Sequence, residues 1–328
     1  MENKNKILVT GGGGFIGSHF INEILSMNPD KEILNLDCIS YATSINTLEM
    51  FNDFKNYQFK NIDINNFDDV LLIFKKFEPD IVIHFAAESH VDNSLSDPKI
   101  FLETNIMGTF NLLQASLEIK KILPSFIFHH VSTDEVYGDL DFDDKKFTEF
   151  SNYKPSSPYS ASKASSDLLV QSWARTYNLN YVITNCSNNF GPRQYTEKLI
   201  PTVIRKIINK QKIPVYGNGL NIRDWIYAKD HAQAIISIHK HGVINEKINI
   251  GGDHEISNLS LIKHLLAMMG CDENLIEFVD DRPGHDLRYA IDNSKIYSLT
   301  DWSPTEYFEK NLQETIEWYK NNPNWWDS

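Results

Sequence analysis

The chain has 328 residues, of which 41% are hydrophobic and 23% are charged, and its formal net charge at pH 7 is −13. This composition is typical of a globular protein with one large domain or two lobes, and the acidic charge argues against general attraction to nucleic acid or anionic lipid. The apolar runs are shorter than the roughly 20 residues of a membrane helix, and the N-terminus does not resemble a signal peptide. We therefore expect no membrane partner, no nucleic-acid partner and a cytoplasmic location.

Short apolar runs alternate with amphipathic stretches through the first half of the chain. Strands are predicted at 6–9, 33–36, 81–84, 126–131 and 181–184, and helices at 15–27, 67–77, 100–119 and 157–177. This alternation is typical of an α/β fold with a Rossmann-type, doubly wound parallel sheet.

The pattern changes from about Cys186 onward, where the elements shorten and Gly-Pro, Gly-Asn-Gly and Pro-Gly turns interrupt them. We predict a first domain over 1–185 and a smaller, interleaved lobe over most of 186–328. Segments near 222–250 are expected to return to the first domain.

The three cysteines, Cys38, Cys186 and Cys271, are odd in number and far apart. They lack the close spacing to one another or to histidine that disulfide frames and zinc sites use. We expect all three to be packing residues and predict no metal site.

A glycine-rich segment follows the first predicted strand directly, and Gly11, Gly14 and Gly17 form a Gly-x-x-Gly-x-x-Gly pattern within it. Glycine lets the backbone approach a pyrophosphate, and the helix that follows presents unpaired N–H groups to it. Asp37 lies 20 residues after Gly17, at the end of the next strand. A carboxylate there can bind both ribose hydroxyls and repels a 2′-phosphate. The segment therefore predicts a dinucleotide site that prefers NAD to NADP.

Tyr159 and Lys163 are four residues apart, so they share one face of the predicted helix. A nearby cation lowers the pKa of a phenol, which would let Tyr159 act as a base. Ser132 or Thr133, at the end of the preceding strand, can supply a hydroxyl beside it. Together with the glycine segment, this arrangement is typical of short-chain dehydrogenases.

Residues 131–138, Val-Ser-Thr-Asp-Glu-Val-Tyr-Gly, resemble the active-site strand of the dTDP-glucose 4,6-dehydratases, a family of extended short-chain dehydrogenases. Segments similar to that family follow the same order at 86–92, 185–189, 197–201, 222–225 and 281–286. The resemblance therefore extends over nearly the whole chain. Asn93 departs from it, because the family usually has Arg there. We expect an effect on loop packing or dimer contacts, and altered substrate handling also stays open.

The resemblance implies a lyase reaction on a nucleoside-diphosphate glucose. Tyr159 removes the C4 hydroxyl proton while hydride passes from C4 to NAD, and Lys163 holds the nicotinamide ribose. Glu135 then removes the C5 proton and Asp134 protonates the departing C6 hydroxyl, with Thr133 near O4. Hydride returns to C6, so NAD is regenerated and a 4-keto-6-deoxy sugar nucleotide leaves. Two carboxyl groups in one desolvated site also tend to separate their pKa values, which suits an acid and a base.

The resemblance also implies the ligand contacts. Those to the cofactor are expected from Gly11, Gly14, Phe15, Ile16, Gly17, Asp37, Asp63, Ile64, Ala86, Ala87, Thr104, Tyr159, Lys163 and Asn189. Those to the sugar nucleotide are expected from His90, Thr133, Asn188, Lys198, Leu199, Arg223, Asn258, Arg282 and His285. The arginines suit a diphosphate, because guanidinium binds phosphate through paired hydrogen bonds. A homodimer built from the helices at 100–119 and 157–177 is implied as well.

Three other functions stay open at this point. A sugar-nucleotide 4-epimerase of the same fold would use Tyr159 and Lys163 without an acid pair, whereas a decarboxylase would need a cation where Asp134 and Glu135 stand. A dinucleotide-binding regulator would have lost the chemistry. The nucleotide also stays open between dTDP and UDP, since one methyl group in an apolar pocket is worth only about 1–3 kcal/mol.

Overall fold

The computed structural model describes residues 5–281, 283–305 and 307–327. Its strands are β1 (Lys6–Thr10), β2 (Glu32–Asp37), β3 (Tyr57–Asn61), β4 (Ile81–His84), β5 (Ile127–Thr133), β6 (Asn180–Cys186), β7 (Asn188–Phe190), β8 (Ile213–Tyr216), β9 (Ile222–Tyr227), β10 (Glu246–Ile250), β11 (Glu255–Ser257) and β12 (Ile276–Val279). Its α-helices are α1 (Phe15–Met27), α2 (Ile45–Glu49), α3 (Phe67–Phe77), α4 (Val91–Ser96), α5 (Pro98–Phe101), α6 (Thr109–Ile122), α7 (Pro158–Tyr177), α8 (Leu199–Ile208), α9 (Ala228–Lys240), α10 (Asn258–Met268), α11 (Ser294–Leu299) and α12 (Phe308–Asn321). Within these ranges, no helix is both long and apolar enough to cross a membrane.

The central sheet of the described chain has seven parallel strands in the order β10-β6-β5-β4-β1-β2-β3. Its inner strands are apolar on both sides, as a parallel sheet covered by two helix layers requires. Ile7 and Ile83 face the core that α1 and α9 complete, whereas Leu8 and Val82 face the core that α3 and α6 complete. The predicted Rossmann-type, doubly wound sheet is confirmed.

The helix predicted at 100–119 is not continuous, because the chain follows a π-helical path over Leu102–Gly108 between α5 and α6. Asn105 is buried inside this turn, and its side-chain amide donates hydrogen bonds to Glu88 O (3.0 Å) and to Ser162 Oγ (2.8 Å). π-helical turns are frequent beside functional sites. Here the turn ties the loop after β4 to α7, a long-range contact that local periodicity does not encode.

A capping box fixes the start of α7. The Ser157 hydroxyl accepts a hydrogen bond from Ser160 N (3.1 Å), and Ser160 Oγ accepts one from Ser157 N (3.0 Å). Pro158 occupies the first helical position, where its missing N–H would have no partner in any case. The helix starts one residue before Tyr159, so this cap sets the position of the predicted base.

The smaller lobe follows β6. Strands β11, β9 and β7 form one sheet, β12 pairs with β8, and helices α8, α10 and α12 contribute Ile204, Leu265 and Ile316 to a third core. β10 lies at the edge of the central sheet and α9 packs Ile235 into the central core, whereas β9 belongs to the small sheet. The chain therefore crosses between the two lobes within 222–250.

Ser157→Ala is expected to lower the free energy of unfolding by about 0.5–2 kcal/mol, because it removes the side-chain acceptor at the start of α7. Chemical denaturation followed by circular dichroism measures the loss. Ser165→Ala is the matched control, since Ser165 Oγ only donates back to Ala161 O within the same helix. That variant should stay within about 0.5 kcal/mol of the unmodified protein. Equal losses in the two variants would contradict the capping role.

Candidate active site

A cleft of about 530 Å³ lies at the carboxyl ends of the central strands, the edge where open α/β sheets bind ligands. Most of the predicted site residues line it, namely Gly11, Gly14, Phe15, Ile16, Gly17, Asp37, Asp63, Ile64, Ala86, Ala87, Thr104, Thr133, Asp134, Glu135, Tyr159, Lys163, Asn188, Asn189 and Lys198. The fold thus brings the glycine segment, the acid pair and the Tyr-Lys pair to one space. Across the described residues, no group of three or more His, Cys, Asp or Glu side chains is placed to hold a metal ion.

The glycine segment turns sharply into α1. Gly11 has a left-handed backbone (φ 72°), and a Cβ atom there would lie 2.5 Å from Ala86 N. A Cβ atom on Gly17 would lie 2.3 Å from Gly11 O. Both positions therefore require glycine. The first turn of α1 lines the cleft, where its N–H groups can bind a pyrophosphate.

Asp37 ends β2 on the cleft wall. Its Oδ2 accepts a hydrogen bond from Gly13 N (2.9 Å), and its Oδ1 accepts from Thr43 Oγ1 (2.9 Å) and Ile39 N (3.1 Å). Burial raises the pKa of Asp37, and these hydrogen bonds oppose the rise. They also orient the carboxylate, which has about four lone-pair positions and so can accept from a ribose as well.

The acid pair begins a 3-10 turn at the end of β5. Thr133 accepts a hydrogen bond from Glu135 N (3.3 Å) and donates one to Asp134 Oδ1 (3.3 Å). Burial raises the pKa of Asp134 well above its usual range, the charges of Glu135 and Asp224 raise it further, and Arg223 opposes them. These influences together favour the protonated form of Asp134, the form that a general acid uses.

The phenol of Tyr159 is buried beside the acid pair. Burial raises its pKa most, the charge of Glu135 adds to the rise, and the Thr133 side chain opposes it. The net shift of this pKa is therefore a rise, opposite to the direction expected from the nearby Lys163. The ammonium instead donates to Val131 O (2.9 Å), and burial lowers the pKa of Lys163 itself to about 8.

Arg223 lies off the cleft wall. Its guanidinium donates to Ile222 O (2.7 Å) and Asp286 O (2.9 Å) and stacks 4.3 Å from the centre of the Tyr289 ring. β9 belongs to the small sheet, and the charge of Arg223 lowers the pKa of Asp134 without the side chain lining the cleft. Its predicted contact with a diphosphate stays a prediction.

Four other predicted substrate residues also lie off the wall. His90 caps α4, Leu199 begins α8, Asn258 begins α10, and His285 Nδ1 lies 2.7 Å from Asp281 Oδ1. Arg282 lies outside the described residues. The binding roles of these five stay predictions, because they rest on resemblance alone.

Asn93, the departure from the family pattern, joins two loops at the edge of the cleft. Its Nδ2 donates to Tyr41 OH (3.2 Å), and Tyr41 OH donates to Glu197 Oε1 (3.4 Å). The Tyr41 ring also packs edge-on against Tyr195 (5.5 Å between ring centres). Position 93 therefore contributes to loop packing between the segment after β2 and the segment before α8.

Two polar residues that the sequence analysis missed, Ser187 and Gln194, also line the cleft. Ser187 Oγ, Gln194 Oε1 and Asn188 Oδ1 are buried and have no hydrogen-bond partner within the described parts of the chain. Buried polar atoms are normally paired, so these three atoms suit a polar ligand in the cleft. Ser187 follows β6 directly, and its position at a strand end was the signal that could have identified it.

Comparison with known proteins assigns the family. The sequence profile described as GDP-mannose 4,6 dehydratase matches residues 8–315. The dTDP-glucose 4,6-dehydratase of Neisseria meningitidis serogroup B is 46% identical, over 98% of this chain and 95% of that one. This chain belongs to the dTDP-glucose 4,6-dehydratase family.

Solved structures share the fold over nearly the full length. DesIV, a dTDP-glucose 4,6-dehydratase from Streptomyces venezuelae with NAD bound, has a TM-score of 0.93 and 39% identity, covering 98% of this chain and 99% of its own. A UDP-glucuronic acid 4-epimerase from Bacillus cereus in complex with UDP-glucuronic acid and NAD has a TM-score of 0.89 and 28% identity, covering 96% and 99%. Because the fold serves both reactions, the residues of the cleft must distinguish them.

Asp134→Asn is expected to raise the free energy of unfolding at neutral pH. Because the pKa of Asp134 is raised in the folded protein, the folded state keeps a proton that the unfolded state releases above about pH 4. Stability is therefore lost as the pH rises from that value toward the folded-state pKa, and asparagine removes this loss because it does not ionise.

Denaturant titrations at pH 4 and pH 7 measure the effect, and the gain should be small at the lower pH and larger at the higher. Asp143→Asn, at an exposed position in the loop that follows, is the control and should show no such difference. A gain of equal size at both pH values would assign the effect to packing instead of protonation.

Proposed function

We propose that this protein removes water across C5 and C6 of dTDP-glucose and yields the 4-keto-6-deoxy sugar nucleotide, with NAD as a retained cofactor. The observation that carries the proposal is the acid pair Asp134 and Glu135 at the end of β5, in the same cleft as Tyr159 and Lys163. The 46% identical relative named for this activity supports the choice of sugar nucleotide.

The chemistry of the cleft fits NAD. The turn at Gly11 and the start of α1 suit the pyrophosphate, Asp37 suits the adenosine ribose and disfavours a 2′-phosphate, and Lys163 suits the second ribose. The unpartnered oxygens of Ser187 and Asn188 offer further polar contacts. When bound, NAD would accept hydride from C4 and return it to C6 once water has left, so the reaction involves no net oxidation.

The side chains of the cleft account for the proton transfers. Tyr159, as its phenolate, accepts the proton of the C4 hydroxyl while hydride leaves C4, and the resulting ketone acidifies C5–H. The charge of Lys163 in the same cleft has to offset the rise that burial causes in the pKa of Tyr159. Glu135 accepts the C5 proton, while Asp134 donates its proton to the C6 hydroxyl, which leaves as water. As hydride returns to C6, Glu135 returns a proton to C5, which gives the 4-keto-6-deoxy sugar nucleotide. The environment divides these roles, because the raised pKa of Asp134 favours the protonated form of this carboxyl.

A 4-epimerase is the second candidate, because its fold is shared. Epimerisation moves hydride at C4 only and needs no proton transfer at C5 or C6. Asp134, buried beside Glu135, would then have no role in the reaction, although burial of its carboxyl group destabilises the folded protein. The acid pair therefore favours dehydration.

The deciding experiment mixes the purified protein, without added NAD, separately with dTDP-glucose and UDP-glucose and follows the mass of the product. Loss of one water is expected with dTDP-glucose, and the ratio of the two rates measures preference for the base. A product of unchanged mass with inverted C4, seen by NMR, would establish the epimerase instead. If neither sugar reacts even after NAD is added, the proposal fails.

Glu135→Gln is expected to allow oxidation at C4 and to block loss of the C5 proton, because the amide keeps the shape of the side chain and loses its basicity. Reduced nicotinamide should therefore accumulate on mixing with dTDP-glucose, measured by its absorbance, while dehydration falls by at least about a hundredfold. Tyr159→Phe is the comparison and should give neither signal. Full dehydration by Glu135→Gln would show that another group is the base.

We further propose a homodimer and a cytoplasmic location. Leu102 and Met107 on the π-helical turn and Leu168 on α7 each expose about half of their surface, and neighbouring helices with exposed apolar residues suit packing against a second copy. Light scattering should give twice the mass of one chain. A single-chain mass at micromolar concentration would contradict the dimer.

A further inference from the structure

Three ionisable residues follow one another at four-residue intervals along the buried face of α7. Tyr159 and Lys163 line the cleft, whereas Asp167, one turn further on, does not. Its side chain is fully buried. A carboxylate without contact with water is costly unless an opposite charge or several donors compensate it. The steps proposed for the reaction give this residue no task.

His130 on β5 lies between the ammonium of Lys163 and the carboxylate of Asp167. Its Nε2 is 3.4 Å from Asp167 Oδ1 and 3.5 Å from Lys163 Nζ. The other carboxylate oxygen of Asp167 accepts hydrogen bonds from Tyr153 OH (2.7 Å) and Asn185 Nδ2 (3.2 Å). Two hydrogen bonds to Oδ2 therefore hold the carboxylate in place, and its Oδ1 faces His130.

The imidazole of His130 is a neutral spacer. Burial lowers its pKa to about 4, so it is uncharged at neutral pH. Its Nδ1 has no partner within the described residues, and an unpaired acceptor is less costly there than an unpaired N–H. The proton is therefore assigned to Nε2, which lies 3.4 Å from Asp167 Oδ1 without the geometry of a hydrogen bond. The edge of the His130 ring therefore separates the Lys163 ammonium from the Asp167 carboxylate.

We propose that Asp167 is the buried counter-ion that keeps Lys163 protonated, and that His130 is the spacer that holds the two charges apart. A direct ion pair would draw Lys163 Nζ toward Asp167 and away from the cleft. With His130 between them, Lys163 stays on Val131 O (2.9 Å) at the cleft wall. Asp167 is thus a positioning residue for the proposed dehydration, and this inference rests on that proposed function.

The electrostatics of the surroundings agree with this geometry. Burial lowers the pKa of Lys163 to about 8, and the charge of Asp167 is the largest influence that opposes the fall. The pKa of Asp167 lies below its usual range despite burial, because His130 lowers it most, the Tyr153 hydroxyl lowers it further and the charge of Lys163 adds to the fall. The ionisable groups that face the pair are Tyr159 on α7, His84 on β4, Cys186 on β6, Tyr137 and Tyr153 beside Asp167, and Lys247 on β10.

Asp167→Asn tests the proposal, because it removes the charge and keeps the shape. Without the carboxylate, the protonated form of Lys163 is disfavoured and its pKa falls. The alkaline limb of the dehydration rate, expected near pH 8 in the unmodified enzyme, should move down by about one to three pH units. A merely structural role would lower the rate by the same factor at every pH.

A second readout does not depend on activity. The rate at which acetic anhydride acetylates Lys163, followed on its peptide by mass spectrometry as a function of pH, reports the fraction of neutral amine. The midpoint of this pH dependence should lie near pH 8 in the unmodified protein. In Asp167→Asn it should fall by the same amount as the alkaline limb of the dehydration rate. This midpoint remains measurable if the protein acts on another sugar nucleotide, so failure of the two proposals is distinguishable.

Tyr153→Phe is the matched control, since it removes one hydrogen bond to Asp167 and leaves the charge. In this variant, the pH midpoint for acetylation of Lys163 should stay within about half a pH unit of the midpoint in the unmodified protein. An unchanged midpoint in Asp167→Asn, or an equal fall in both variants, would overturn the proposal. If Asp167→Asn does not fold, the unmodified protein still decides, because a midpoint well below neutrality would mean that Asp167 does not keep Lys163 charged.

Discussion

The proposed chemistry depends on the burial of ionisable side chains at the carboxyl end of β5. This strand is buried along its whole length, with a parallel neighbour on each side, so the residues that follow it leave water as the core forms. Burial favours the neutral form of a carboxyl group, and the charge of Glu135 strengthens that preference in Asp134. The packing that stabilises the sheet therefore also raises the pKa of Asp134, which favours its use as an acid.

Helix α7 has the opposite role, because it keeps the Lys163 side chain charged in the same buried region. Its 3.6-residue period places Tyr159 and Lys163 on the cleft and continues the same face to Asp167 behind it. Strand β5 then contributes to both sides of this arrangement, through Val131 O at the ammonium and through His130 at the carboxylate. The Ser157 capping box fixes the residue at which α7 begins, and with it the start of this face beside β5.

The smaller lobe is coupled to the cleft through charge as well as through the chain. Arg223 on β9 is held by backbone carbonyls and by the Tyr289 ring, and it lowers the pKa of Asp134 while Asp224 beside it raises that pKa. A movement of β9 relative to β5 would change the proton affinity of the acid. The interleaved path of the chain through β9, α9 and β10 limits such movement.

The features that depend on local spacing could be predicted from the amino-acid order. These are the alternation that makes a parallel sheet, the glycine turn before α1, and the one-face placement of Tyr159 and Lys163. Other features became apparent only once the chain was folded. These are the π-helical turn around Asn105, the rise in the pKa of Tyr159, the position of Arg223 off the cleft wall and the link from Lys163 to Asp167 through His130. Spacing fixes which residues share a face, whereas desolvation and long-range contacts depend on strands and helices that meet only when the whole chain has folded.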